Sequence, residues 1–163
     1  MNTRDCVDYD SLDTELGALL RGESDTLAMS ANFVALLFNA FTDINWLGIY
    51  VLRGDELVLG PFQGKPACVH INLGQGVCGT AAEENRTLRI EDVHEFAGHI
   101  ACDPVSKSEI VVPLNIDCLL VGVVDIDSPT RGRFCEHDQQ GVEKLCTTFE
   151  RAVAACRTNN TFI

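Results

Sequence analysis

The chain has 163 residues, 46% of them hydrophobic and 22% charged, a length that suits one domain and a composition that excludes disordered, collagen-like and low-complexity classes. Asp plus Glu number 24 against 12 Lys plus Arg, a net charge of −12, so a phosphate backbone or an anionic lipid surface would be repelled and neither nucleic acid nor membrane is an expected partner. Residues Met1 to Asp8 look like neither a secretory signal nor a transit peptide. The longest apolar run, Ile110 to Val124, is broken by Asn115 and Asp117 and is too short to span a bilayer. A cytoplasmic protein is expected. In a reducing compartment its eight cysteines point to free thiols, catalysis or metal rather than to a disulfide framework.

From Asp10 to Leu20, the residues Leu12, Leu16, Leu19 and Leu20 recur at helical spacing, and a second helix follows Asp25 with Leu27, Phe33, Leu36, Leu37 and Phe41 as its stripe. Ile44 to Leu52 and Leu57 to Phe62, joined by Arg53-Gly54-Asp55-Glu56, predict a β-hairpin. Cys68 to Leu73 is a short strand, and Gly74-Gln75-Gly76 leads into a helix over Val77 to Asn85, followed by a strand over Thr87 to Glu91. Asp92 to Lys107 is a long irregular stretch holding two histidines, a Cys and a Pro; such segments in compact domains often carry function. Ser108 to Asn115 and Cys118 to Asp127 form another strand pair. Glu136 to about Arg157 forms the closing helix, with Val142, Leu145, Cys146, Phe149 and Val153 on the face that docks on the sheet. The fold class is α+β: two N-terminal helices, a mostly antiparallel sheet with a short inserted helix after a Gly-rich turn, and a C-terminal helix, in one domain over residues 1–163.

Several residues could carry chemistry. Period-two alternation puts Trp46, Gly48 and Tyr50 on one strand face, so two rings flank a residue without a side chain: a slot for a ligand, or ordinary core packing. Asp125 and Asp127 share a face at the end of an apolar strand, and Glu109 starts its neighbour. These three carboxylates either converge, so that repulsion raises a pKa and an ionised member can hold an ammonium group, or are solvated strand ends.

Gly74-Gln75-Gly76-Val77-Cys78-Gly79 has the spacing of a dinucleotide fingerprint, but the helix is short, the following acids Glu91 and Asp92 come too early, and the rest of the sheet reads antiparallel. What survives is Cys78 at a helix N-terminus, a position expected to lower a thiol pKa. Cys102, in the segment Gly98-His99-Ile100-Ala101-Cys102-Asp103-Pro104, is the best nucleophile candidate, since a loop thiol beside His99 can be exposed and ionised; a structural or idle thiol is the alternative. Cys68 also falls at an element edge, whereas Cys118 and Cys146 read as small buried hydrophobes, and Cys6, Cys135 and Cys156 have no assigned role. His94, His99 and Cys102 could instead hold zinc, though their spacing fits no common motif and the fourth ligand would have to come from Cys68 or Cys78.

Taken together these residues resemble the free methionine-(R)-sulfoxide reductases, single GAF-domain enzymes. The likeness rests on Asn45-Trp46-Leu47-Gly48-Ile49-Tyr50, on the run from Leu59 to Cys68, on Gly76-Val77-Cys78-Gly79-Thr80-Ala81, on Arg89 to His94, on Gly98 to Asp103, on Ser108-Glu109-Ile110-Val111 and on Gly122 to Ser128. GAF domains in general are mostly sensors, so it is the three cysteines with Trp46 and the acids that make the likeness specific. The resemblance implies a GAF-like fold and reduction of free methionine-(R)-sulfoxide, with no cofactor and no metal. It implies Cys102 as nucleophile, Cys78 and, ranked after it, Cys68 as recycling thiols, and Glu109 or a strand-end Asp as proton donor. Trp46 and Tyr50 would line the substrate pocket, Glu109, Asp125 and Asp127 would recognise its polar groups, and a thioredoxin-like dithiol would restore the enzyme. Related domains often pair, which allows a homodimer. The alternative is a GAF sensor that binds a small molecule without chemistry.

Overall fold

The computed structural model describes residues 7–98 and 103–156. It opens with α1 (Tyr9–Leu20) and α2 (Thr26–Ala40), each begun by an aspartate: Asp8 accepts from Ser11 N, and Asp25 from Leu27 N and Ala28 N. Both acids satisfy amides that have no partner inside the helix and face its positive end. The hairpin follows as β1 (Trp46–Arg53) and β2 (Glu56–Gly64), then β3 (His70–Asn72), α3 (Gly76–Glu84) and β4 (Leu88–Ile90). The irregular segment contains one short 3-10 turn, Val93–Glu95, and leads to β5 (Ser108–Ile116), β6 (Leu119–Ser128) and α4 (Glu136–Ala155). Arg157, the expected end of the last helix, lies outside the described residues.

The six strands form one sheet in the order β3-β2-β1-β6-β5-β4, and every neighbouring pair is antiparallel. Because alternate side chains leave opposite faces of a strand, each central strand serves two cores. Leu47, Ile49, Val51, Ile110, Val112, Val124 and Ile126 meet Leu16, Phe33, Leu37, Leu145 and Phe149 of α1, α2 and α4 on one face. On the other face Trp46, Tyr50, Val111 and Val123 meet Val77, Cys78, Ala81 and Ala82 of α3. The result is three layers, with three helices on one side and only the short α3 on the other, where room remains for a pocket. No helix among the described residues is long and apolar enough to cross a membrane.

Two expectations change. The strand expected from Cys118 starts at Leu119, because Asp117 and Cys118 take positive φ of 52° and 64° to make the β5–β6 turn, and Cys118 is an exposed free thiol rather than a buried hydrophobe. Cys146 is buried as expected. The fingerprint reading fails on topology: β3 and β4, the strands flanking α3, occupy opposite edges of the antiparallel sheet, so no parallel crossover exists for a dinucleotide to straddle.

Candidate active site

Register brings the acids together. On β1 and β6, Gly48 lies opposite Asp125 and Trp46 opposite Asp127, while on β5 and β6, Glu109 lies opposite Asp127. Directly opposed residues point to the same face. The two aromatics, the two aspartates and the glutamate therefore share the face that α3 covers. All five line one cleft, together with Cys78, Lys65, Gln75, Asp103 and Ser106. Convergence, not solvation, is the outcome for the carboxylates: only 5% of Glu109 and 6% of Asp125 is exposed.

The aromatic slot takes a different form. The Trp46 and Tyr50 rings stack at 5.8 Å and 27°, and Trp46 stacks on Phe62 at 5.5 Å and 15°. The indole folds over Gly48, where a Cβ would lie 2.6 Å from Phe62 Cβ and closer still to the indole. The glycine is needed for the ring to lie flat, and the pair forms one wall rather than two. Their polar ends hold the next loop: Trp46 Nε1 donates to the Lys65 carbonyl and Tyr50 Oη to the Cys68 carbonyl, each at 3.0 Å. The aromatic wall thus fixes the segment that carries Cys68.

Cys68 is disulfide-bonded, whereas Cys78, Cys118, Cys135 and Cys146 are free thiols. Cys102 and His99 lie outside the described residues. The segment just after them is tied down: the Asn45 amide donates to Ser106 Oγ at 2.9 Å and Asp103 Oδ2 at 3.4 Å, and Lys65 Nζ sits 3.3 Å from Asp103. The Val105 N–H and the Lys65 ammonium hold the Asp103 carboxyl below its usual range. This latch was not legible in the sequence, because Asn45, Lys65 and Ser106 are ordinary surface types and only tertiary contact joins them. His94 of the zinc expectation is largely exposed and sits 3.6 Å from Asp92.

Burial is the main electrostatic fact. It pushes the Glu109 carboxyl well up, with the negative Asp125 and Asp127 adding to the shift, and raises Asp127 for the same reasons. Asp125 is raised by burial to about 6, opposed by hydrogen bonds from Cys78 and Glu109. Glu109 and Asp127 are thus both pushed toward the protonated form, and Asp125 is the member of the cluster raised least. Burial also pushes the Cys78 thiol up, with the negative fields of Asp125 and Glu109 adding to it. The lowered pKa expected for this helix N-terminus is overturned: Cys78 Sγ lies 3.9 Å from Glu109 Oε1 inside an acidic pocket, and that outweighs the helix dipole. Asp125 Oδ1 is buried with no hydrogen-bond partner among the described residues. Such an oxygen calls for a donor or a cation from a ligand.

The GAF domain family matches residues 13–153. The free methionine-R-sulfoxide reductase of Escherichia coli is 53% identical over 146 residues, covering 90% of this chain and 88% of its own. The fRMsr of Staphylococcus aureus in its reduced form superposes with a TM-score of 0.90 at 46% identity, over 94% of this chain and 99% of that one. The free methionine-R-sulfoxide reductase from Neisseria meningitidis in complex with its substrate superposes with a TM-score of 0.88 at 39% identity, over 91% and 90% of the two chains. An antiparallel sheet of six strands under this cleft, with these likenesses along nearly its whole length, places the chain in the GAF domain family, among the free methionine-R-sulfoxide reductases.

Proposed function

We propose that the protein reduces free methionine-(R)-sulfoxide to methionine through a cysteine sulfenic acid. The observation that carries this reading is the buried cluster of Glu109, Asp125 and Asp127 beneath the Trp46–Tyr50 wall, with Asp125 Oδ1 unpaired. A free amino acid brings an ammonium group to that oxygen. A methionine inside a polypeptide has none, and would leave the acids desolvated and unmatched, so the pocket selects the free substrate. The aromatic wall suits the methyl and thioether end.

In the chemistry, the Cys102 thiolate attacks the sulfoxide sulfur while a carboxylic acid protonates the oxygen. Glu109, pushed well up by burial and by Asp125 and Asp127, is a donor that this arrangement supports, and Asp127, pushed up likewise, is the other. The oxygen passes to Cys102 as a sulfenic acid, and methionine leaves reduced by two electrons. A second thiol displaces water from the sulfenic acid and forms a disulfide, which an external dithiol reduces by exchange. The existing disulfide at Cys68 and the raised pKa of Cys78 favour Cys68 as the thiol that condenses first, with Cys78 in a later exchange. That reverses the ranking expected from sequence. Val69, beside the disulfide, is 53% exposed and offers a thioredoxin-like dithiol protein an apolar edge to cover.

Reduced protein incubated with racemic free methionine sulfoxide and a dithiol should convert about half of the input to methionine and leave the S epimer. Cys102→Ser should abolish turnover, and Cys68→Ser should permit one reduction per chain before stalling. Full steady-state activity in Cys102→Ser removes the nucleophile assignment, and binding without product converts the protein to a sensor.

A further inference from the structure

Cys78 stands apart in this chemistry, since its thiol is buried among the acids yet is used only late. One ligand atom from each of Cys78, Glu109 and Asp125 lies within 4.8 Å of the other two, and Sγ is 3.9 Å from Glu109 Oε1. Tetrahedral zinc, with bonds of about 2.3 Å to sulfur and about 2.0 Å to a carboxylate oxygen, needs roughly 3.5 Å between such atoms. A shift of a few tenths of an ångström in one side chain brings that pair to the required spacing. The unpaired Asp125 Oδ1, in a residue only 6% exposed that lines the cleft, asks independently for a positive ligand. An ammonium group answers that oxygen but gains little from a neighbouring sulfur, whereas a borderline-soft dication gains from both.

We propose that Cys78, Glu109 and Asp125 form a binding site for a thiophilic divalent cation, of which zinc is the type, and that the bound ion excludes the substrate from the cleft. Binding replaces the Cys78 thiol proton and the proton held by the carboxyl pair, both released to solvent, and the open side of the cleft supplies water as the fourth ligand. No electron moves. The cation site stands on geometry alone; only the exclusion of substrate rests on the reductase reading.

The test uses the full chain with the Cys68 disulfide closed, so that this sulfur cannot bind the ion. Equilibrium dialysis against zinc chloride should find one tight ion per chain, and cobalt chloride should give the thiolate-to-cobalt charge-transfer band and the visible bands of a tetrahedral site. Cys78→Ala should abolish the charge-transfer band and weaken zinc binding by at least about 100-fold, and Glu109→Gln should weaken it by about 10-fold or more. Saturating free methionine should weaken zinc binding competitively. Binding that survives Cys78→Ala belongs to the exposed thiols Cys118 or Cys135 and overturns the site. Should the alanine variant fail to fold, Glu109→Gln decides the matter, and unchanged affinity in it has the same force. Unchanged zinc affinity in the presence of methionine overturns the exclusion. Turnover is read in a separate assay, so a chain that binds cobalt through Cys78 but reduces no sulfoxide fails the reductase reading alone.

Discussion

Asp125 shows how function and stability compete at a single residue. Its carboxyl titrates at about 6 in the folded chain, against about 3.9 when unfolded. Between those values the folded state holds a proton that the unfolded state has lost. The stability contributed by the protonated form is therefore complete below about pH 4 and declines as pH rises to about 6, a loss of about 3 kcal/mol. Asp125→Asn removes the titration, so the variant should gain on the parent by about 2–3 kcal/mol across that window, with a constant difference above it. Denaturant midpoints at pH 4, 5, 6 and 7 check this, and a gap that does not change with pH shows that burial of this acid does not govern stability. The substrate affinity lost in the same variant measures what the buried charge does for binding.

The elements act on the site through β1, whose Trp46, Gly48 and Tyr50 turn an ordinary hairpin strand into a pocket wall. A methyl group at Gly48 collides with the indole and with Phe62 Cβ. Gly48→Ala should therefore cost about 1–3 kcal/mol, as overpacked positions do, and displace the ring from the Lys65 carbonyl. The chain contains a single tryptophan, so its emission reports the change directly: a shift to the red is expected together with a fall in kcat/KM. An unchanged spectrum contradicts the close approach of ring and backbone. The helices opposite, by contrast, were legible from pattern alone. Leu12, Leu16 and Leu20 on α1 and Val142, Leu145, Phe149 and Val153 on α4 are all buried, because helical periodicity needs only one continuous apolar neighbour to become real packing, whereas Leu19 and Leu27, expected on the stripes of α1 and α2, fall at their margins and are 43% and 49% exposed.

For the molecule as a whole, the sheet separates a supporting side from a reacting side. On the supporting side α1 is tied to α4 by the Tyr9 hydroxyl, which donates to Asp138 Oδ1 at 2.8 Å in a buried setting, while Asp138 Oδ2 accepts from Cys135 N and lies 3.4 Å from Arg133. Tyr9→Phe removes one of these donors and leaves a buried carboxylate oxygen short of a partner, a cost of about 1–2 kcal/mol. The melting temperature should fall while kcat/KM stays within about twofold, since the change lies across the sheet from the cleft. A loss of activity without a loss of stability would show that the two sides communicate.

By itself the sequence determined the order of elements, the α+β class and the two faces of each central strand, which put Trp46 with Tyr50 and Asp125 with Asp127 on shared faces. Those follow from local propensity and from periods of 3.6 and 2, which each segment carries independently of its partners. The approach of Glu109 to Asp127 and of Gly48 to Asp125 needed strand register, which hydrogen bonding between distant segments sets. The pKa of Cys78 was decided by burial against acids 31 and 47 positions away in the chain, so its helix-terminal position misled. The Asn45–Ser106–Asp103–Lys65 latch likewise joins residues of common surface types. Tertiary structure alone settles such features, because desolvation and Coulomb energy depend on distance in space and on what excludes water, and neither quantity is written along the chain.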